Sequence, residues 1–67
     1  MEEINKSRLR VLRESANMTQ AELGQAVGVT SAAIGQYERG IRSPKDPIKK
    51  ELARFFHTTV DNIFFET

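Results

Sequence analysis

The chain has no cysteine, and its only prolines are Pro44 and Pro47. Without cysteine there is neither a disulfide framework nor a zinc-ribbon spacing. No run approaches the roughly 20 apolar residues of a membrane-spanning helix. The opening Met1-Glu2-Glu3 is acidic where a secretory signal is basic. The lone histidine, His57, has no second ligand near it in sequence, which argues against a metal site. Nothing repeats, no stretch is of low complexity, and no run alternates as a half-buried strand does. At 67 residues the chain reads as one domain, 1–67. A domain of that size buries only about 60% of its unfolded surface. That leaves no room for a cleft between lobes, and no pair of catalytic groups stands out, so an enzyme is not expected. The expectation is a small cytoplasmic protein with no cofactor, metal or evident small-molecule ligand and no contact with a membrane.

What is present is helical punctuation. Leu9, Leu12 and Ala16 lie on one face and predict a first helix from about Ile4 to Ala16. Thr19-Gln20-Ala21-Glu22 has the form of a capping box and predicts a second helix ending near Val27, with Gly28 as its left-handed stop. Thr30 is placed to cap a third helix that runs to about Arg39 and closes at Gly40. Asp46-Pro47 signals a fourth, the aspartate capping and the proline in the first turn, ending near Phe56. Thr59 precedes a short fifth, Val60 to Phe64. The fold class is therefore all-α, a compact five-helix domain with short loops.

Between the second and third helices stand only Gly28, Val29 and Thr30. A turn that tight needs a residue tolerant of positive φ, which Gly28 supplies. Two helices crossing steeply must also approach closely, which Gly24 permits. Leu23, Val27, Val29, Ile34 and Tyr37 then fill the angle between them. This spacing is that of a helix-turn-helix.

The charge distribution adds a second clue. The net charge is only +1, but residues 14–38 carry just Glu14, Glu22 and Glu38, whereas Arg39, Arg42, Lys45, Lys49, Lys50 and Arg54 follow against only Asp46 and Glu51. On a wheel at the helical period, Ser31, Ala32, Gly35, Gln36 and Arg39 fall within about 140° of one another, opposite Ala33, Ile34 and Tyr37. A face of small, uncharged side chains can lie deep in a major groove about 12 Å wide. Gln36 has the groups to pair with adenine N6 and N7, Ser31 to bond a base edge, and Ala32 to touch a thymine methyl. Phosphate contacts are then expected from neighbouring segments: Gln20 and Thr30 at helix N-termini, and Arg39, Arg42 and Lys45 beyond the third helix. Lys49, Lys50 and Arg54 read as a solvated face. Gly35, in a helix interior where glycine costs about 1 kcal/mol relative to alanine, either admits a close approach of DNA or is a tolerated change.

The segment "TQAELGQAVGVTSAAIGQYERGIRSP" resembles the lambda-repressor-like helix-turn-helix domains of phage repressors, Cro proteins and the XRE family of bacterial regulators. The resemblance extends through "LRVLRESANM" and "LARFFHTTVDNIF" to nearly the whole chain. It implies a DNA-binding transcriptional regulator, repressor-like, acting on a near-palindromic operator and dimeric at least on DNA. It also implies base contacts at the slots held here by Ser31, Ala32 and Gln36, and an ion pair between Glu38 and Arg13. That family usually has an apolar residue near position 49; here Lys49 stands there and Ile48 is apolar. Phe55 and Phe65 are candidates for a dimer surface, or else both flank the core. A rival reading is an antitoxin-like or co-regulator module whose main partner is another protein, which the weak net charge and the aromatic C-terminal segment would suit.

Overall fold

The computed structural model describes residues 7–64, and among these there are five helices and no strand. They are α1 (Arg8–Ser15), α2 (Gln20–Val27), α3 (Ser31–Glu38), α4 (Asp46–Phe55) and α5 (Val60–Phe64). The expected all-α, five-helix class is borne out. Helices this short are marginal alone in water, so each depends on its caps and on one buried face.

The caps come largely from residues that the sequence marks. Thr19 Oγ1 accepts from the Glu22 amide at 3.0 Å, and Glu22 Oε1 accepts from the Thr19 amide at 2.9 Å, which closes the capping box. Thr30 Oγ1 accepts from the Ala33 amide at 3.0 Å, and Thr59 Oγ1 from the Asn62 amide at 3.1 Å. Two starts differ from expectation. Ser7 is extended and its hydroxyl accepts from the Arg10 amide, so α1 begins at Arg8 and not at Ile4. Residues before Ser7 lie outside the described part of the chain. At α4 the N-cap is Lys45, without a side-chain bond, and Asp46 is already helical. With Pro47 in the first turn there is one amide fewer to cap, and the Asp46 carboxylate favours the helix through its dipole instead.

Leu9, Leu23, Ile34 and Leu52 are fully buried at the centre, joined by Val27, Ala33, Tyr37, Ala53 and Ile63. Ile48, Phe56 and Phe64 are half-buried against that core. Ala16, expected on the buried face of α1, is instead its exposed C-cap. The largest helix interface joins α2 to α3, while α1 packs on α3 and α5, and α4 on α2 and α5. Lys49 departs from the expected solvated face, because it is half-buried with its Nζ 5.9 Å from the centre of the Phe64 ring. Lys50 and Arg54 are exposed. His57 makes the left-handed turn after α4, at φ +56°.

Candidate nucleic-acid interface

The angle between α2 and α3 is set by two glycines. Gly28 adopts φ +88°, a conformation costly for any residue with a Cβ, and the Gly28 and Val29 amides both donate to the Gly24 carbonyl at 2.8 Å. At Gly24 there is no room for a side chain. A Cβ there would lie 2.5 Å from the Val29 carbonyl oxygen and 3.0 Å from the Thr30 carbonyl. The backbone of the turn therefore rests directly on α2, which tilts α3 across it.

That tilt places Ala33, Ile34 and Tyr37 inside, while Ser31 and Ala32 are exposed and Gln36 is half-exposed. Gly35 corrects the wheel. Its expected place on the open face is covered, and the residue is buried. An ideal Cβ on it would sit 3.3 Å from Gln20 Nε2, 3.4 Å from Gln20 Oε1 and 3.5 Å from Arg39 Nη1. Two polar side chains thus lie across the bare turn of α3. The wheel could not show this, because the cover comes from α2 and from the residue after α3.

One acid lies on α3, Glu38, and its charge does not reach the surface. The Glu38 side chain is only 4% exposed and Arg13 only 12%. Arg13 Nε donates to Glu38 Oε2 at 2.6 Å and Nη2 to Oε1 at 3.2 Å. Its remaining nitrogen, Nη1, donates to the Met18 carbonyl at 2.8 Å, a contact that sequence spacing did not suggest. Glu38 Oε1 accepts a third bond from Gln20 Nε2 at 3.2 Å. Three elements, α1, the start of α2 and the end of α3, are therefore tied at one carboxylate. The hydrogen bond to Glu38 raises the Arg13 pKa above its ordinary value, outweighing the opposite pull of burial.

The cations collect around this face. Arg39, Arg42 and Lys45 are all exposed, and Thr30 is exposed at the N-terminus of α3. After α3 the chain folds back, with the Ile41 and Arg42 amides donating to the Gln36 carbonyl at 3.0 and 3.4 Å. This brings Arg42 Nη1 to 3.5 Å from Gln36 Oε1. An open groove beside the end of α3 is lined by Arg39 and Arg42 together with Arg8 and Lys49, two cations that the sequence reading did not assign to this side. Uncharged donors and acceptors in the middle with cations at the border match what duplex DNA requires, since base edges are read by hydrogen bonds and phosphates by charge.

On another part of the surface Phe55 is 39% exposed, its ring edge-on to Phe56. Phe65, the other candidate for a dimer surface, lies outside the described residues. Among the described residues no group of metal-ligating side chains clusters, and no helix is long and apolar enough to cross a membrane.

Comparison with known proteins agrees with this geometry. A family model described as helix-turn-helix matches residues 9–63. An uncharacterized HTH-type transcriptional regulator of Archaeoglobus fulgidus is 34% identical over 59 residues, which span 88% of this chain and 83% of the relative. Another from Methanocaldococcus jannaschii is 30% identical over 59 residues, 88% of this chain and 89% of that protein. Among solved structures, the P22 c2 repressor in complex with a synthetic operator superposes with a TM-score of 0.83 at 31% identity, covering 87% of this chain and 88% of the repressor chain.

Proposed function

The chain belongs to the helix-turn-helix family of DNA-binding transcriptional regulators, and on that premise we propose how it reads DNA: α3 enters the major groove and presents Ser31, Ala32 and Gln36 to base edges. The observation that carries this reading is the electrostatic layout of α3. Its outward face is uncharged, and its single acid is turned in and paired with Arg13. Thr30, Arg39, Arg42 and Lys45 then hold the flanking phosphates, fixing register while the quiet face specifies. Gln20 gives one Nε2 hydrogen to Glu38, so its second Nε2 hydrogen and the α2 N-terminal amides remain to donate to the phosphates.

DNA as partner is supported by the likeness to the P22 c2 repressor, which was solved in complex with a synthetic operator. The protein acts in the cytoplasm as a binding protein and not as an enzyme. It represses by occupying a promoter, as a homodimer on a near-palindromic site whose halves lie about one helical turn apart. The exposed Phe55 ring supports a contact between copies.

Selection of bound fragments from a random duplex pool tests the reading and yields the preferred sequence. The reading expects one dominant motif and an affinity that falls steeply with salt. Against that motif, Gln36→Ala is expected to cost about 1–3 kcal/mol and to relax preference at one base pair. Lys45→Ala is expected to weaken all sequences alike and to lower the salt slope by about 1. A Gln36→Ala protein that selects the same motif with the same stringency would remove α3 as the reader.

A further inference from the structure

We propose that Gly35 is a positioning residue for DNA binding, acting as the seat over which Gln20 and Arg39 are held, and that its identity sets affinity for duplex without contact to a base. The inference rests on the DNA-binding reading above and deepens it. Gly35 is buried in spite of its outward position on α3, and the atoms over it are polar side-chain ends from two different segments. Gln20 reaches across from the first position of α2, and Arg39 folds back from the position after α3. A Cβ on Gly35 would stand 3.3 Å from Gln20 Nε2, tighter than ordinary packing, and 3.5 Å from Arg39 Nη1, in ordinary contact.

These two side chains differ in how freely they can yield. Gln20 is tethered, because its Nε2 donates to Glu38 Oε1 and Glu38 is held by Arg13. Its second Nε2 hydrogen is the group left to donate to a phosphate. Arg39 is exposed and, among the described residues, has no ion-pair partner. A side chain at position 35 therefore presses first on the Gln20 carboxamide and strains the Gln20–Glu38 bond, while the Arg39 guanidinium comes to rest against it. The carboxamide N–H and the guanidinium resting beside it are then offered to DNA in altered geometry. A small polar group displaced by part of an ångström loses hydrogen-bond geometry steeply, so the consequence falls on recognition and spares the fold.

The test uses duplex selected by the wild-type protein and compares Gly35→Ala in two backgrounds. In the wild-type background the substitution is expected to weaken binding about 10-fold. The melting temperature should hold or rise, since alanine favours the helix interior over glycine. In a Gln20→Ala/Arg39→Ala background the same substitution should change affinity by less than about 2-fold, because the groups it displaces are gone. An equal loss in both backgrounds would overturn the proposal by showing that DNA meets Gly35 directly. Unchanged affinity in the wild-type background would overturn it as well. If the wild-type chain binds no duplex, the DNA reading itself fails and the inference falls with it, a result distinct from any failure confined to the variants.

Discussion

Arg13→Ala is expected to destabilise the protein by about 3–5 kcal/mol, enough to unfold much of so small a domain, whose whole stability is on the order of 5 kcal/mol. The reason is what the substitution leaves behind. Glu38 is 4% exposed and receives two bonds from Arg13, so removal of the guanidinium strands a buried carboxylate with Gln20 as its remaining side-chain donor. The Met18 carbonyl loses its partner too, and with it the link between α1 and the loop that leads into α2. An exposed pair would behave differently, since such pairs contribute about 0–1 kcal/mol. Urea unfolding decides between these: a loss below about 1 kcal/mol would mean that the pair is solvated in solution. Removing both partners is expected to cost far less than removing one, as in Arg13→Met with Glu38→Leu, where no buried charge remains. The Arg13 pKa is raised in the fold, so the part of the contribution linked to the Arg13 proton is fully present below the ordinary arginine range. It fades only as pH climbs through the raised value.

Gly24→Ala is expected to cost about 2 kcal/mol or more, even though alanine favours a helix over glycine by about 1 kcal/mol. The new methyl group would meet the carbonyls of Val29 and Thr30, backbone atoms that cannot swing aside as a side chain can. Relief requires the turn to lift from α2, and α3 must tilt with it. The loss should therefore appear twice, as a melting temperature lower by roughly 10 °C and as weaker DNA binding by the molecules that remain folded. Gly35→Ala is an informative control: the same chemical change one helix later should not lower the melting temperature, because side-chain ends and not the backbone of another segment stand above it. Equal melting temperatures for the two variants would mean that α2 and α3 are not in close contact at Gly24.

The features legible in the sequence were those decided within four or five residues. Thr19 and Glu22, Thr30 and Ala33, and Thr59 and Asn62 are each three apart, so their caps follow from spacing alone. The steep turn was legible for the same reason, from Gly24 and Gly28 one helical turn apart. Ser7 also carried a local signal, yet apolar periodicity reaching back to Ile4 hid it. Asp46 was misread because a proline is accepted at either of the first two helical positions. Other features depend on where distant segments come to rest. The cover on Gly35 requires Gln20 to cross α3, and the Arg13–Met18 bond requires the angle of the first loop. Lys49 over Phe64 joins residues of α4 and α5 whose packing no single-helix wheel describes. A wheel reports which way a residue points, and it cannot report what arrives from outside.

Backbone amide shifts of isotope-labelled protein, titrated with the duplex it selects, test most directly whether α3 is the reading element. The account predicts the largest changes at Ser31, Ala32 and Gln36, with further changes at Gln20, Thr30 and residues 39–45, and little at the buried heart of α1. Amides of α3 that stay still while those of another face move would contradict it.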